Sequence, residues 1–104
     1  MSILKGVLQE ELQRLRTNIA AYEQKLSTLP KGYLYVQAKN GRAYCYRKWR
    51  QGSKILSCYV GEDGSDEAKQ AKADYSERKR LEAALRQLRK EEARLTKALR
   101  HYGD

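Results

Sequence analysis

Residues 31–61 read KGYLYVQAKNGRAYCYRKWRQGSKILSCYVG, and the fold turns on this stretch. Tyr33 to Ala38, Ala43 to Arg50 and Ser53 to Val60 are rich in Tyr, Val, Ile and Trp, the residues that fit a pleated surface. Asn40-Gly41 and Gln51-Gly52 separate the three runs, and Asn-Gly supplies the positive φ angles that tight hairpins need. The spacing predicts a three-stranded antiparallel β-meander over residues 32–60.

Alternation then assigns the faces. A two-residue loop at Asn40-Gly41 sets Val36 opposite Cys45 and Tyr35 opposite Tyr46. One face carries Tyr33, Tyr35, Tyr44, Tyr46, Lys48 and Arg50. The other carries Leu34, Val36, Ala38, Cys45 and Trp49, with Arg47 as its polar exception, and this is the face expected to be buried. The third strand has two readings. A two-residue loop at Gln51-Gly52 puts Leu56, Cys58 and Val60 on the buried face and sets Cys45 opposite Cys58; a bulged loop with Gly52 left-handed substitutes Ile55 and Tyr59. Sequence alone does not choose between them; the first is favoured because it gives Leu56 and Val60 apolar neighbours.

On either side of the meander the period changes from two to three and a half. Apolar residues fall at Leu8, Leu12, Leu15, Ile19, Tyr22, Leu26 and Leu29, alternately four and three apart. The same spacing returns at Leu81, Leu85, Leu88, Glu92, Leu95, Leu99 and Tyr102, with Glu92 the one polar member. These seams predict helices over 3–28 and 66–102. Ser2 suits the start of the first and Pro30 cannot continue it; Ser65 or Asp66 caps the second and Gly103 suits its end. The expected architecture is α+β: one domain over residues 1–104, with two long helices in an antiparallel coiled coil and the meander inserted between them. The second helix is the longer, and its surplus first turns offer Ala68, Ala71 and Tyr75, a mostly small stripe that lets a sheet approach. Val7, Ala21, Ala84 and Ala98 flank the seams in a way that suits a second helix pair, so a homodimer with a four-helix core is expected.

The net charge of +9 is not spread evenly. Residues 30–60 hold seven Lys/Arg and no acid, together with Trp49 and five of the eight tyrosines. Interleaved cations and rings are what nucleic-acid surfaces use, since cations neutralise phosphate and ring faces stack on bases. The residues assigned to such contact are Tyr33, Tyr35, Tyr44, Tyr46, Lys48 and Arg50, joined by Arg42 and Lys54. The competing reading is structural, because tyrosine is a favoured strand residue and Lys and Arg protect sheet edges from aggregation. In the second helix, Arg78-Lys79-Arg80 is the run best placed to extend a phosphate track; most other charges there belong to a solvated helical face.

Other chemistry finds little material. The pattern contains no phosphate-binding glycine loop, no zinc spacing and no nucleophile elbow, and His101 is the only histidine. No enzymatic activity, no metal and no cofactor are expected. With no signal peptide and no apolar run long enough to cross a membrane, the expectation is a cytoplasmic protein without membrane contact, with Cys45 and Cys58 as free thiols.

The segments Lys31-Gly32-Tyr33-Leu34-Tyr35, Tyr44-Cys45-Tyr46-Arg47-Lys48-Trp49-Arg50-Gln51-Gly52 and Ser57-Cys58-Tyr59-Val60-Gly61 resemble a family of small prokaryotic and mobile-element proteins. In these a leading helix ends at a Leu-Pro-Lys-Gly turn, a tyrosine-rich meander closes on Tyr-Ile/Val-Gly, and a charged helix follows. The meander also looks like the N-terminal strands of some transposases. The resemblance implies a phage or mobile-element setting. The first functional expectation, drawn from the cations and tyrosines of residues 30–60, is an accessory protein of such an element that binds DNA or RNA. The second is an inhibitor or adaptor that seats its sheet on a nucleic-acid-handling enzyme.

Overall fold

The computed structural model describes residues 3–102. The elements follow in the order α1 (Ile3–Ser27), β1 (Tyr33–Lys39), β2 (Arg42–Gln51), β3 (Lys54–Glu62) and α2 (Asp66–Arg100). The chain is α+β, with a three-stranded antiparallel meander of order β1-β2-β3 between two long helices. The described residues form two compact units, one of residues 3–28 and 80–102 and one of residues 29–79.

In the helical unit the two seams bury Leu12, Leu15 and Ile19 of α1 and Leu81 and Leu85 of α2. Arg16 donates to Glu92 at 3.2 Å and Arg89 to Glu23 at 2.8 Å, so the partners run in opposite directions along the two helices. Glu92, the polar member of the second seam, is thus held by a cation from α1. α1 ends where Pro30 forbids continuation, and the Ser27 and Thr28 hydroxyls donate to the carbonyls of Gln24 and Lys25. The caps expected at Ser2 and Gly103 lie outside the described residues.

In the sheet unit β1 and β2 pair in the expected register, Tyr35 with Tyr46 and Val36 with Cys45. Asn40 and Gly41 have φ of 51° and 78°, positive at both central positions as a type I′ loop requires. The second hairpin departs from expectation. Its loop is Gly52-Ser53, closed by Gln51 opposite Lys54, so Cys45 lies opposite Gly61 and Cys58 opposite Arg47. Gly52, at φ 63°, sits in the first central position, where a Gly-X loop of type II′ needs it. Moving a two-residue loop by one position shifts each partner by two. Leu56 and Cys58 therefore keep the buried face, although Cys45 no longer faces Cys58. Val60, expected on the buried face, is the extra residue of a β-bulge between the Tyr46–Tyr59 and Cys45–Gly61 pairs. Both cysteines are free thiols.

Ser65 is the cap of α2: its hydroxyl accepts from Ala68 N at 3.2 Å and its carbonyl from Lys69 N at 2.9 Å. Asp66 and Glu67 then occupy the positive end of the helix. The first turns of α2 lie on the Cys45 face of the sheet. Ala68 and Ala71 are buried, and a Cβ built on Gly61 would stand 2.8 Å from Ser65 Oγ and 3.4 Å from Glu67 Cβ. Lys72 pairs with Asp63 in the turn before the helix, which raises the lysine pKa above its ordinary value through that hydrogen bond.

Two glycines should respond to alanine in opposite ways. Gly32, in the link before β1, has φ 90°, and its Cβ would fall 1.9 Å from the Lys48 carbonyl oxygen. Gly6 lies inside α1 with nothing within 4 Å of a Cβ. Gly32→Ala is expected to destabilise by about 2 kcal/mol or more, through strain and overlap together. Gly6→Ala should stabilise by about 0.5–1 kcal/mol, through helix propensity. Urea denaturation followed by circular dichroism measures both, and a neutral Gly32→Ala would contradict the close approach.

Candidate functional site

The face of the sheet opposite the first turns of α2 is built by strand alternation. Rows of facing residues cross it: Tyr33, Lys48 and Ser57; then Tyr35, Tyr46 and Tyr59; then Gln37, Tyr44 and Glu62. At one end Arg50 stands beside Ile55, and at the other Lys39 stands beside Arg42. The middle row puts one tyrosine on each strand.

The rings form one connected band. Tyr35 and Tyr46 stack with centroids 5.3 Å apart and planes at 16°, while Tyr59 meets Tyr46 edge-on at 5.6 Å. Tyr44 reaches Tyr59 at 6.2 Å and Tyr33 reaches Tyr35 at 6.5 Å. These separations suit favourable aromatic pairs, so the band is held in place by its own ring-on-ring packing. Lys48 lies with Nζ 5.0 Å from the centre of the Tyr35 ring, and the Tyr35 hydroxyl shares a 3.1 Å hydrogen bond with Ser57. Tyr33 and Tyr59 are 50% and 57% exposed, and Ile55 is 62% exposed, so the outer members present apolar surface outward.

Charge on this face is lopsided. Among the described residues, Lys39, Arg42, Lys48 and Arg50 take no part in an ion pair. Glu62, at the far end of β3, is the one carboxylate in the rows. The Tyr59 phenol is held above the usual tyrosine range, by partial desolvation first and then by the carboxylate of Glu62.

Of the residues assigned from sequence, Tyr33, Tyr35, Arg42, Tyr44, Tyr46, Lys48 and Arg50 come together on this face. Lys54 does not. It pairs with Gln51 at the loop and alternates with Leu56, so it belongs to the opposite face. Sequence reasoning misses Tyr59, Lys39 and Ile55, although alternation from Leu56 and Cys58 places Tyr59 and Ile55 there. The basic run of α2 is occupied locally: Arg78 donates to the Leu29 carbonyl at 3.4 Å and Lys79 lies over the Tyr75 ring at 5.4 Å. Among the described residues, no three His, Cys, Asp or Glu side chains gather in a way that would hold a metal ion. None of the helices there is long and apolar enough to cross a membrane.

Residues 7–70 match the model of a domain of unknown function, DUF6788, over more than half of the chain. The chain belongs to the DUF6788 family. No curated protein and no solved structure matches it. The DUF6788 span takes in most of α1, the whole meander and the first turn of α2, so the tyrosine band lies entirely inside the region that defines the family.

Tyrosinate absorbance across a pH titration checks the geometry around Tyr59. A raised folded pKa means that the fold favours the protonated phenol. The contribution is full below the ordinary value of about 10 and is lost as pH rises through the folded value. Tyr59→Phe is expected to remove a component that titrates above the ordinary value; an unchanged upper limb would place Tyr59 outside the cluster.

Proposed function

We propose that this DUF6788 protein is a non-enzymatic accessory protein of a phage or other mobile element that binds DNA or RNA through the basic, tyrosine-rich face of its sheet. The observation that carries the reading is a contiguous tyrosine band with cation pairs at both ends. Lys48 and Arg50 stand beyond Tyr46 on β2, and Lys39 and Arg42 lie at the other hairpin end. Cations supply affinity by releasing counterions from phosphate, and phenol faces add sequence-tolerant stacking. Binding of this kind is strongly salt-dependent and weakly selective for sequence. Its natural location is the cytoplasm.

The double substitution Lys48→Ala, Arg50→Ala is expected to lower affinity for labelled nucleic acid by about tenfold or more at low salt. It should also flatten the salt dependence by about 0.7–0.9 in slope for each phosphate that is no longer neutralised. No binding by the parent at low salt, or unchanged affinity in the double variant, would remove the proposal. Nuclease-resistant capture of a single protein partner would replace it with an adaptor role.

A homodimer is proposed alongside. Among the described residues, Ile3, Leu4 and Val7 on the first turns of α1 are 88%, 52% and 54% exposed, a cluster that a second copy would cover. Light scattering should give twice the chain mass for the parent and the single mass for Leu4→Glu, Val7→Glu; a monomeric parent at micromolar concentration would end this reading.

A further inference from the structure

We infer that the tyrosine face takes single-stranded rather than duplex nucleic acid, laid along β2 between its two cation pairs. The inference rests on the nucleic-acid reading and narrows it. Arg42 and Lys48 are six residues apart on β2, about 20 Å at roughly 3.3 Å per strand residue. The interval between them on this face is filled by phenols, not by cations. A duplex presents phosphates on its outside and keeps its base faces stacked within, so an aromatic floor between the cations would meet sugar and backbone and contribute little. An unpaired strand has the complementary layout. Its phosphates reach the cations at the two ends, and its unstacked bases lie on the rings between them.

The ring geometry supports this assignment. The Tyr35–Tyr46 pair is nearly parallel, whereas Tyr46–Tyr59 and Tyr44–Tyr59 meet at 65° and 56°. The band therefore presents its rings at several inclinations. It offers separate ring faces, the most open being Tyr33 and Tyr59. Glu62, beside Tyr44 at the end of β3, repels phosphate at that corner. The backbone of the strand accordingly keeps to the β1–β2 side, and its bases reach across toward Tyr59.

Three probes of equal length separate the terms in a fluorescence-polarisation assay at low salt: an oligothymidylate or oligouridylate, the matching duplex, and an abasic strand with the same phosphates. The base-bearing single strand should bind about tenfold or more tighter than the other two. Tyr59→Ala should lose most of that margin on the single strand with duplex affinity unchanged, and Tyr59→Phe should retain it, because the ring and not the hydroxyl does the stacking. Glu62→Gln should tighten single-strand binding. Tyr59→Phe keeps the ring contacts and is expected to melt with the parent, while Tyr59→Ala loses the packing on Tyr44 and Tyr46 and should melt somewhat lower yet remain folded at the assay temperature, which circular dichroism verifies. Equal affinity for all three probes, or tighter binding of the duplex, overturns the single-strand inference and leaves charge-driven binding standing. Silence from all three overturns the broader proposal with it.

Discussion

A Cβ on Gly61 would sit 2.8 Å from Ser65 Oγ, so the helix that follows the meander comes against the sheet at nearly backbone distance. Cys45, opposite Gly61 in the ladder, is completely buried, as is Ala68. Small residues on both sides permit this approach, and close packing makes it a fixed one, since even one added methylene in such a contact is felt. The consequence reaches the other surface. With a period of two, committing Cys45 and Gly61 to the helix commits Tyr44, Tyr46 and Glu62 to the opposite side. The tyrosines share one face because the alanine stripe of α2 claims the reverse.

α2 serves two partners in turn. Its first turns, with Ala68 and Ala71, belong to the sheet unit, and its later turns, with Leu81 and Leu85, pair with α1. That division accounts for a helix of 35 residues beside one of 25. It also divides the electrostatics. In the helical unit acids are interspersed with bases, and Arg16–Glu92 and Arg89–Glu23 join the two helices. All four side chains are at least about a third exposed, and exposed pairs contribute little, about 0–1 kcal/mol each. Their effect is on which residues meet, more than on how firmly. The strands have no such compensation until Glu62, which is why the net charge concentrates there.

Much of this is legible in the sequence because two periods carry it. The three-and-a-half-residue seams give the helices, and Asn40-Gly41 gives the first hairpin to the residue, since both of its positive φ angles are those that Asn and Gly adopt most readily. Gln51-Gly52-Ser53 is harder, because one glycine serves equally as the second position of one loop or the first of another. The structure uses the latter, and the partners on β3 up to Tyr59 move by two while their faces are kept. Those faces are therefore readable and the strand register is not. The bulge at Val60 sets Gly61 opposite Cys45, and neither the alternation of the strand nor a turn residue marks it in the sequence. Charge alone draws Lys54 toward the site, whereas alternation with Leu56 sets it on the other side.

The alternative account of a basic, tyrosine-rich sheet is protection of its edges, and the strand order tests it. Lysines on β1 and β3 guard open ladders, which suits Lys39 and Lys54. β2 is the central strand, paired on both sides, and has no edge to guard. It nevertheless carries Arg42, Arg47, Lys48 and Arg50, four of the seven cations of the segment. Placing like charges along one central strand costs repulsion that edge protection does not offset, and strand propensity favours none of them. Three of the four stand on the tyrosine face, where no carboxylate pairs with them among the described residues. A polyanion lying on that face would relieve the repulsion between those cations. Protection of a strand that has no free edge would not.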